Sequence, residues 1–336
     1  MRHFILFLAV ACLALSGTAF AGGVAAGYGA ELEGFPYPYV VEHFPFSSQQ
    51  VDLQMGYMDV KPKKPANGHT VVLMHGKNFC GATWESTIAV LADAGYRVVV
   101  PDQIGFCTSS KPAHYQYSFQ QLAANTMALL KKVGVSRAIL VGHSTGGMLA
   151  TRFSLMYPDV VEKLVLVNPI GLEDWKALGV PSRTVDQWYE RELKLSAGGV
   201  RQYEKSVYYG GRWKPEYDRW VEMLAGLNRG PGHKLVAWNS ALIYDMVFTQ
   251  PVVYEFPLLK MPTVLMLGDA DTTAIGSDLA PPEIKAKIGH YKVLGKQVIK
   301  MIPKGRLVEF PGFGHAPQIE APAMFHKALL NELASR

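Results

Sequence analysis

The chain has 336 residues, of which 49% are hydrophobic and 18% charged, so it is a globular protein with one large domain plus an insertion, or with two domains. The net charge is +5, but its basic residues are scattered among acidic ones, and no focused basic patch indicates a nucleic-acid partner. Beyond the N-terminus no window of about 20 apolar residues occurs, so we expect no internal membrane span.

The N-terminal residues 1–21 have the pattern of a secretory signal peptide. Arg2 supplies the positive start, residues 4–15 form the apolar core, and residues 19–21 form the small-x-small cleavage site. A buried helix or a membrane anchor is the alternative, but the apolar core is short and ends in small and polar residues. We therefore predict a cleaved signal and a secreted or periplasmic protein.

Two cysteines, Cys80 and Cys107, remain after removal of the predicted signal. An exported protein can keep a disulfide, and each cysteine follows a predicted strand that ends at the same edge of the sheet. Cysteine spacing alone does not determine connectivity. A disulfide and two separate, partly buried thiols are therefore both left open.

Most of the chain alternates between predicted strands and predicted helices. The strands are predicted at residues 39–46, 51–60, 70–74, 98–100, 138–141, 164–167, 263–268 and 305–310. The helices are predicted at residues 84–94, 118–133, 145–157 and 321–333. This alternation predicts an α/β fold with a mostly parallel sheet flanked by helices. His75, Asp102, Ser144 and Asn168 follow strands, at the edge where such sheets carry active sites.

The alternation stops between residues 171 and 256, where a helical pattern persists and five of the six tryptophans occur. We interpret this stretch as a helical cap inserted into a core formed by residues 22–170 and 257–336. Most of its aromatic side chains are expected to pack the cap itself, and a few to line an apolar cavity. No role is predicted for residues 275–294.

A nucleophile-elbow pattern, Gly142-x-Ser144-x-Gly146, lies between a predicted strand and a predicted helix. The turn is so sharp that the glycines are needed where strand and helix backbones nearly touch. The pattern therefore predicts that Ser144 is held with its hydroxyl exposed to a neighbouring base.

A base and an acid follow in the order expected for a catalytic triad. Asp271 comes after the seventh predicted strand, and His315 comes after the eighth. A serine hydroxyl needs a base to take its proton, and the base needs a carboxylate to orient it. We predict His315 as base and Asp271 as acid; Asp269 is the competitor, which we expect instead to cap or solvate the loop.

The oxyanion donors are predicted to be the backbone N–H groups of Lys77 and Thr145, with Asn78 as the alternative to Lys77. The Thr145 amide lies at a helix N-terminus, where amides have no intrahelical partner. The other histidines have no metal-type spacing, and His143 is interpreted as a packing residue. We expect neither a metal nor a cofactor.

These pieces together resemble the α/β-hydrolase superfamily, in the branch whose helical cap is inserted after the sixth strand. The resemblance covers nearly the whole chain after the signal and is carried by residues 75–78, 101–112, 142–147, 268–271 and 314–317. The second of these stretches resembles the corresponding loop of epoxide hydrolases and haloalkane dehalogenases. Those enzymes use Asp as nucleophile, so Ser144 disfavours both activities. Prolyl iminopeptidases typically have Trp where this chain has Thr145.

The complete set of nucleophile, base, acid and oxyanion donors predicts a serine hydrolase that cleaves a small-molecule carboxylic ester. The aromatic residues of the cap favour an apolar or aromatic substrate. Carbon–carbon bond hydrolases, acyltransferases and perhydrolases share the same triad and remain open at this stage. A non-catalytic module that binds a ligand under the cap is the third hypothesis, although such modules usually lose a triad member. Acyl chain length and oligomeric state are not predicted.

Overall fold

A single sheet of eight strands organises the computed structural model, which describes residues 27–335. The predicted signal peptide lies outside the described residues. The strands are β1 (Glu42–Ser48), β2 (Val51–Val60), β3 (Thr70–Met74), β4 (Arg97–Pro101), β5 (Ala138–His143), β6 (Val161–Val167), β7 (Thr263–Gly268) and β8 (Gly305–Phe310). Their order across the sheet is β1-β2-β4-β3-β5-β6-β7-β8.

The sheet is mostly parallel. β1 pairs with β2 and β2 with β4 in antiparallel register, whereas all pairs from β4 through β8 are parallel. Every residue of β5 and of β7 is buried, because helices cover both faces of the central strands. The predicted α/β architecture is therefore confirmed.

Helices lie beside the sheet, and a capping residue marks where one of them begins. Ser118 caps the helix that begins at Phe119 by accepting a hydrogen bond from the Gln121 amide at 3.0 Å. These helices are α1 (Glu85–Asp93), α2 (Phe119–Lys132), α3 (Thr145–Met156), α8 (Pro282–Lys285), α9 (Tyr291–Val298), α10 (Pro317–Glu320) and α11 (Pro322–Ala334). Across residues 27–335 no helix has both the length and the apolarity needed to cross a bilayer.

Between β6 and β7 the chain leaves the sheet and forms a helical segment, here called the insertion (residues 168–262). It contains α4 (Val185–Leu193), α5 (Ala197–Tyr203), a π-helical turn (Glu204–Tyr208), α6 (Asp218–Arg229) and α7 (His233–Thr249). Trp188 of α4 and Tyr244 of α7 stack with ring centroids 4.6 Å apart. Aromatic packing of this kind holds the helices of the insertion together.

The parallel strands β3 to β8 all end at one edge of the sheet, so the residues that follow them converge there. Lys77 follows β3, Ser144 follows β5, Asp271 follows β7 and His315 follows β8. The insertion leaves the sheet at this edge, after β6, and rejoins it at the opposite edge, where β7 begins.

Candidate active site

Ser144 occupies a strained turn between β5 and α3. Its φ is 56°, in the left-handed region that non-glycine residues rarely adopt. A Cβ at Gly142 would lie 2.3 Å from the Gly146 carbonyl oxygen, and one at Gly146 would lie 2.3 Å from the Met74 carbonyl oxygen. Backbone cannot yield at these distances, so both positions require glycine. The glycines therefore allow the turn that presents the Ser144 hydroxyl.

His315 bridges Ser144 and Asp271. The Ser144 hydroxyl lies 2.8 Å from His315 Nε2, and His315 Nδ1 donates to an Asp271 carboxylate oxygen at 2.6 Å. The exposed fractions of the three residues are 5%, 0% and 1% for Ser144, His315 and Asp271. Exclusion of water strengthens both hydrogen bonds and lets the imidazole move a proton between fixed partners.

The Asp271 carboxylate is held by three further donors. The side chain of Asn168 donates to Oδ2 at 2.9 Å, and Thr273 donates its amide and its hydroxyl to Oδ1 at 2.8 and 2.7 Å. The competing residue Asp269 faces elsewhere and accepts from the Gly312 amide at 2.6 Å. The structure thus brings Asp271, and not Asp269, to His315.

His143 does more than pack beside the site. Its Nε2 donates to the backbone carbonyl of His315 at 2.8 Å. Burial holds the pKa of His143 well below its ordinary value of 6.5, and the neighbouring His315 lowers it further, so the ring is neutral at physiological pH. A neutral ring with its proton on Nε2 fixes the backbone of the loop that carries His315.

Lys77 and Thr145 line the same small cavity as Ser144, which has a volume of about 10 Å³. Thr145 begins α3, so its amide has no intrahelical acceptor. The Lys77 side chain leaves the cavity toward the insertion and donates to the Ser240 hydroxyl at 2.6 Å and to Glu192 at 3.3 Å. The loop after β3 is thereby tied to helices α4 and α7.

Tyr208 forms a wall of the site that the motif pattern does not reveal. Its ring lies 4.7 Å from the His315 ring, and its hydroxyl accepts from the Asn78 side chain at 2.9 Å. A Cβ at Gly314 would lie 2.3 Å from the Tyr208 carbonyl oxygen. The π-helical turn therefore packs directly against the loop that presents the imidazole. Asn78, the alternative oxyanion donor, uses its side-chain amide in this contact.

Cys80 and Cys107 form a disulfide with Cα atoms 5.9 Å apart, which resolves the alternative left open by their spacing. The bond joins the segment after the Lys77 loop to the loop after β4. Within residues 27–335, these cysteines and Asp102 form the single cluster that has metal-ligand chemistry, and its sulfurs are bonded to each other. Asp102 supports the same loops by accepting from the Gly81 amide at 2.7 Å and the Thr108 hydroxyl at 2.6 Å.

The sequence indicated where Asn168 lies but not what it does, and it did not indicate Tyr208. Asn168 was predicted to lie at this edge because it follows a strand, but its role in holding Asp271 depends on a contact across 103 residues. Tyr208 is one of many aromatic residues in the insertion, and nothing local distinguishes it. The fold alone places Tyr208 beside His315.

Comparison with known proteins agrees with this architecture. A family model described as alpha/beta hydrolase fold matches residues 69–322. A solved structure from Pseudomonas aeruginosa PAO1, described as a probable hydrolytic enzyme, is 64% identical with a TM-score of 0.92, and the match covers 93% of this chain and 99% of that one.

Two curated relatives are named putative carbamate hydrolase RutD. The one from Serratia proteamaculans is 34% identical over 287 residues, which is 82% of this chain and 95% of that protein. The one from Pantoea ananatis is 30% identical over 168 residues, so the match spans 49% of this chain and only 58% of that relative.

Proposed function

The chain belongs to the alpha/beta hydrolase family, and from this premise we propose that it is an exported serine hydrolase that cleaves carboxylic esters. The observation that carries the proposal is the position of His315 between Ser144 and Asp271, at 2.8 and 2.6 Å. This is the geometry that acyl transfer through a serine needs: a nucleophile, a base within hydrogen-bond reach and a carboxylate that orients the base.

In the first half of the reaction Ser144 attacks the ester carbonyl carbon while His315 takes the hydroxyl proton. Asp271 keeps the imidazole oriented and stabilises its charged form. The carbonyl oxygen becomes an oxyanion, which the backbone amides of Lys77 and Thr145 stabilise. The tetrahedral intermediate collapses, His315 returns its proton to the departing alkoxide, and an alcohol leaves while the acyl group stays on Ser144.

In the second half water takes the place of the alcohol. His315 removes a proton from the water, whose oxygen attacks the acyl carbon. The second tetrahedral intermediate collapses, the proton returns to Ser144, and a carboxylic acid is released. No metal or cofactor is needed for either half. The insertion acts as a cap that shields the acyl-enzyme from bulk water.

The first test is labelling of the purified mature protein with a fluorophosphonate probe, read by intact mass, beside Ser144→Ala and His315→Ala. We expect a single adduct on the wild type and none on either variant. A panel of esters of increasing acyl length, with matched amides and carbamates, then defines the bond that is cleaved. The carbamates belong in the panel because two relatives bear that name.

Other reactions of the same triad give different outcomes. Carbon–carbon hydrolysis would leave the ester panel uncleaved while the probe still labels Ser144, and acyl transfer would convert added alcohols into new esters. Absence of labelling on a folded wild type would contradict an activated serine and favour a binding module. Esterase activity that survives in Ser144→Ala would overturn the mechanism itself.

Export is proposed from the N-terminal pattern of residues 1–21 alone. We expect the mature protein recovered from the periplasm or the medium of an expressing bacterium to begin at residue 22. Mass measurement of the recovered chain tests this directly. A full-length chain retained in the cytoplasm would contradict it.

A further inference from the structure

Three adjoining cavities lead from Ser144 toward the surface. The cavity beside Ser144 shares Lys77 and Asn78 with an inner cavity of about 50 Å³, and shares Asn78, Tyr203 and Tyr244 with an outer cavity of about 300 Å³. Shared wall residues make the outer cavity the continuation of the site. A substrate bound at Ser144 would therefore extend into it.

The charged side chains that line these cavities are mostly basic. Lys77, Lys111, Arg191 and Lys194 are basic, and Glu192 is the one acidic residue among the lining residues. Glu192 is already paired, because its carboxylate accepts from Lys77 at 3.3 Å and from Ser240 at 2.5 Å. The cavities consequently keep an excess of positive charge.

The Lys111 ammonium is not available to a ligand, because it binds backbone carbonyl oxygens of the protein. Its ammonium donates to the carbonyl oxygens of Cys107 and Ser109 at 2.8 and 3.0 Å. The unused cations are therefore Arg191 and Lys194, both exposed and both on the wall of the outer cavity.

Arg191 has a defined position without a carboxylate partner. Its guanidinium lies 5.3 Å from the ring centre of Tyr244 and 5.5 Å from that of Trp188. The carboxylates whose charges act on it, Glu192 and Asp278, pair with Lys77 and Arg183. In the part of the chain that the structure describes, neither Arg191 nor Lys194 forms an ion pair. The two aromatic rings and a side-chain hydrogen bond to Tyr244 thus hold a guanidinium that has no carboxylate partner and keeps further donors for a ligand.

Tyr244 connects this guanidinium to the reaction centre. The same side chain lines both the outer cavity and the cavity of Ser144. Its ring also lies 3.5 Å from the Lys77 ammonium. A ligand that contacts both Ser144 and Arg191 would thus pass along the Tyr244 side chain.

From this arrangement we propose that the substrate is an ester that carries a carboxylate, and that Arg191, assisted by Lys194, binds this carboxylate in the outer cavity. The inference rests on the proposed ester hydrolysis at Ser144. A carboxylate matches the planar fork of a guanidinium, and a positive field at the mouth of a cavity raises the rate at which anionic substrates arrive. The uncharged spacer would lie against the apolar walls.

The experiment compares kcat/KM for two pairs of esters that differ only in charge. Methyl hexanoate and monomethyl adipate place a methyl group or a carboxylate at the far end of the acyl chain. Pentyl acetate and 5-acetoxypentanoate do the same at the end of the alcohol. We expect a preference of about 10-fold for the charged member of at least one pair. The preference should shrink when ionic strength rises from about 0.01 M to about 0.5 M, because the cations are exposed.

Single substitutions test which side chains cause the preference for the charged ester. Arg191→Gln should remove most of the preference by lowering kcat/KM for the charged ester while leaving the neutral ester within about 2-fold. Lys194→Gln should remove a smaller part. Lys132→Gln, at an exposed position at the end of α2, is the matched control and should change neither ester. Lys194→Gln also keeps the inference testable if Arg191→Gln does not fold.

The outcomes separate the two proposals. If Ser144 is labelled and the neutral esters are cleaved, but neither charged ester is preferred, the carboxylate site is wrong and ester hydrolysis stands. A preference that persists in both Arg191→Gln and Lys194→Gln also overturns the assignment. If Ser144 is not labelled and none of the four esters is cleaved, both proposals fail together.

Discussion

The ammonium group of Lys77 donates a hydrogen bond to the hydroxyl of Ser240 at 2.6 Å and so joins the loop after β3 to helix α7 of the insertion. The same ammonium pairs with Glu192 of α4. Because the backbone amide of Lys77 is the proposed oxyanion donor, the position of the insertion bears directly on the geometry of the oxyanion hole.

Lys77→Met should keep the backbone amide but release it from the insertion. We expect kcat to fall about 10-fold, because a misplaced donor loses part of its oxyanion stabilisation. The free energy of unfolding should fall by about 3 kcal/mol, since Glu192 is left as a buried, unpaired charge. Ester kinetics and urea unfolding measure the two effects. Adding Glu192→Gln should restore much of the stability, and additivity of the two changes would contradict the coupling.

Asn168→Asp should impair the triad by placing a second carboxylate against Asp271, where the Asn168 amide now donates at 2.9 Å. Aspartate tolerates the backbone of this position, whose φ is 38°. Repulsion favours a proton shared between the two carboxylates, which weakens the acceptor for His315. We expect kcat/KM to fall about 100-fold, and the loss to deepen as the pH is lowered. Asn331→Asp, on the exposed face of α11, is the control; equal activity of both variants would exclude a positioning role.

The buried carboxyl of Glu204 should make the free energy of unfolding depend on pH. Within the described residues neither of its carboxyl oxygens has a hydrogen-bond partner, and burial raises its pKa from 4.5 to about 8. The titratable groups on which its charge acts are the hydroxyls of Tyr208 and Tyr209. Between pH 4.5 and about 8, the ordinary and the raised pKa of Glu204, this carboxyl keeps its proton in the folded protein but has lost it in the unfolded chain. The free energy of unfolding therefore falls as the pH rises through this range.

Glu204→Gln should remove this loss. The variant should gain stability relative to the wild type at about pH 9 and show little gain at about pH 5, with an upper limit of roughly 5 kcal/mol. Thermal unfolding at both pH values measures it. Glu190→Gln, at an exposed position of α4, should follow the wild type. Parallel pH profiles for Glu204→Gln and the wild type would show that Glu204 does not carry this dependence.

The Cys80–Cys107 disulfide closes a loop with a sequence separation of 27 residues. Replacement of both cysteines by serine should lower the free energy of unfolding by about 3–4 kcal/mol, because the unfolded chain regains the entropy of that loop. Urea unfolding with and without a reductant measures this. The reductant should destabilise the wild type and leave the double variant unchanged; an equal response of both would exclude the disulfide as the cause.

The local sequence pattern was sufficient to predict most strands and helices of the fold. The predicted strands at residues 70–74, 263–268 and 305–310 have the same bounds in the structure. Each is a strand-length run with a turn residue or a sharp change of polarity at its ends, which is a local signal. A 3₁₀ turn, Gly81–Trp84, instead precedes the helix predicted from residue 84, because the Gly81 amide donates to the Asp102 carboxylate and the Thr83 hydroxyl donates to the Cys80 carbonyl oxygen.

The order of the site residues also followed from the sequence, because each motif comes directly after a strand and parallel strands end at one edge. The choice between Asp269 and Asp271 depended on the fold. The two carboxylates are separated by one residue, and the loop geometry aims one at the Gly312 amide and the other at His315. Their catalytic roles remain part of the proposed function.

The sequence by itself determined the class of fold, the sharp turn at Ser144 and the chain order of the triad candidates, because these depend on residues that are neighbours along the chain. Only the tertiary structure decided that Asn168 holds Asp271, that Cys80 bonds to Cys107, and that Lys77 reaches the insertion. Those contacts join residues that are 103, 27 and 163 positions apart. Their partners are selected by packing and burial in three dimensions, for which the local sequence carries no pattern.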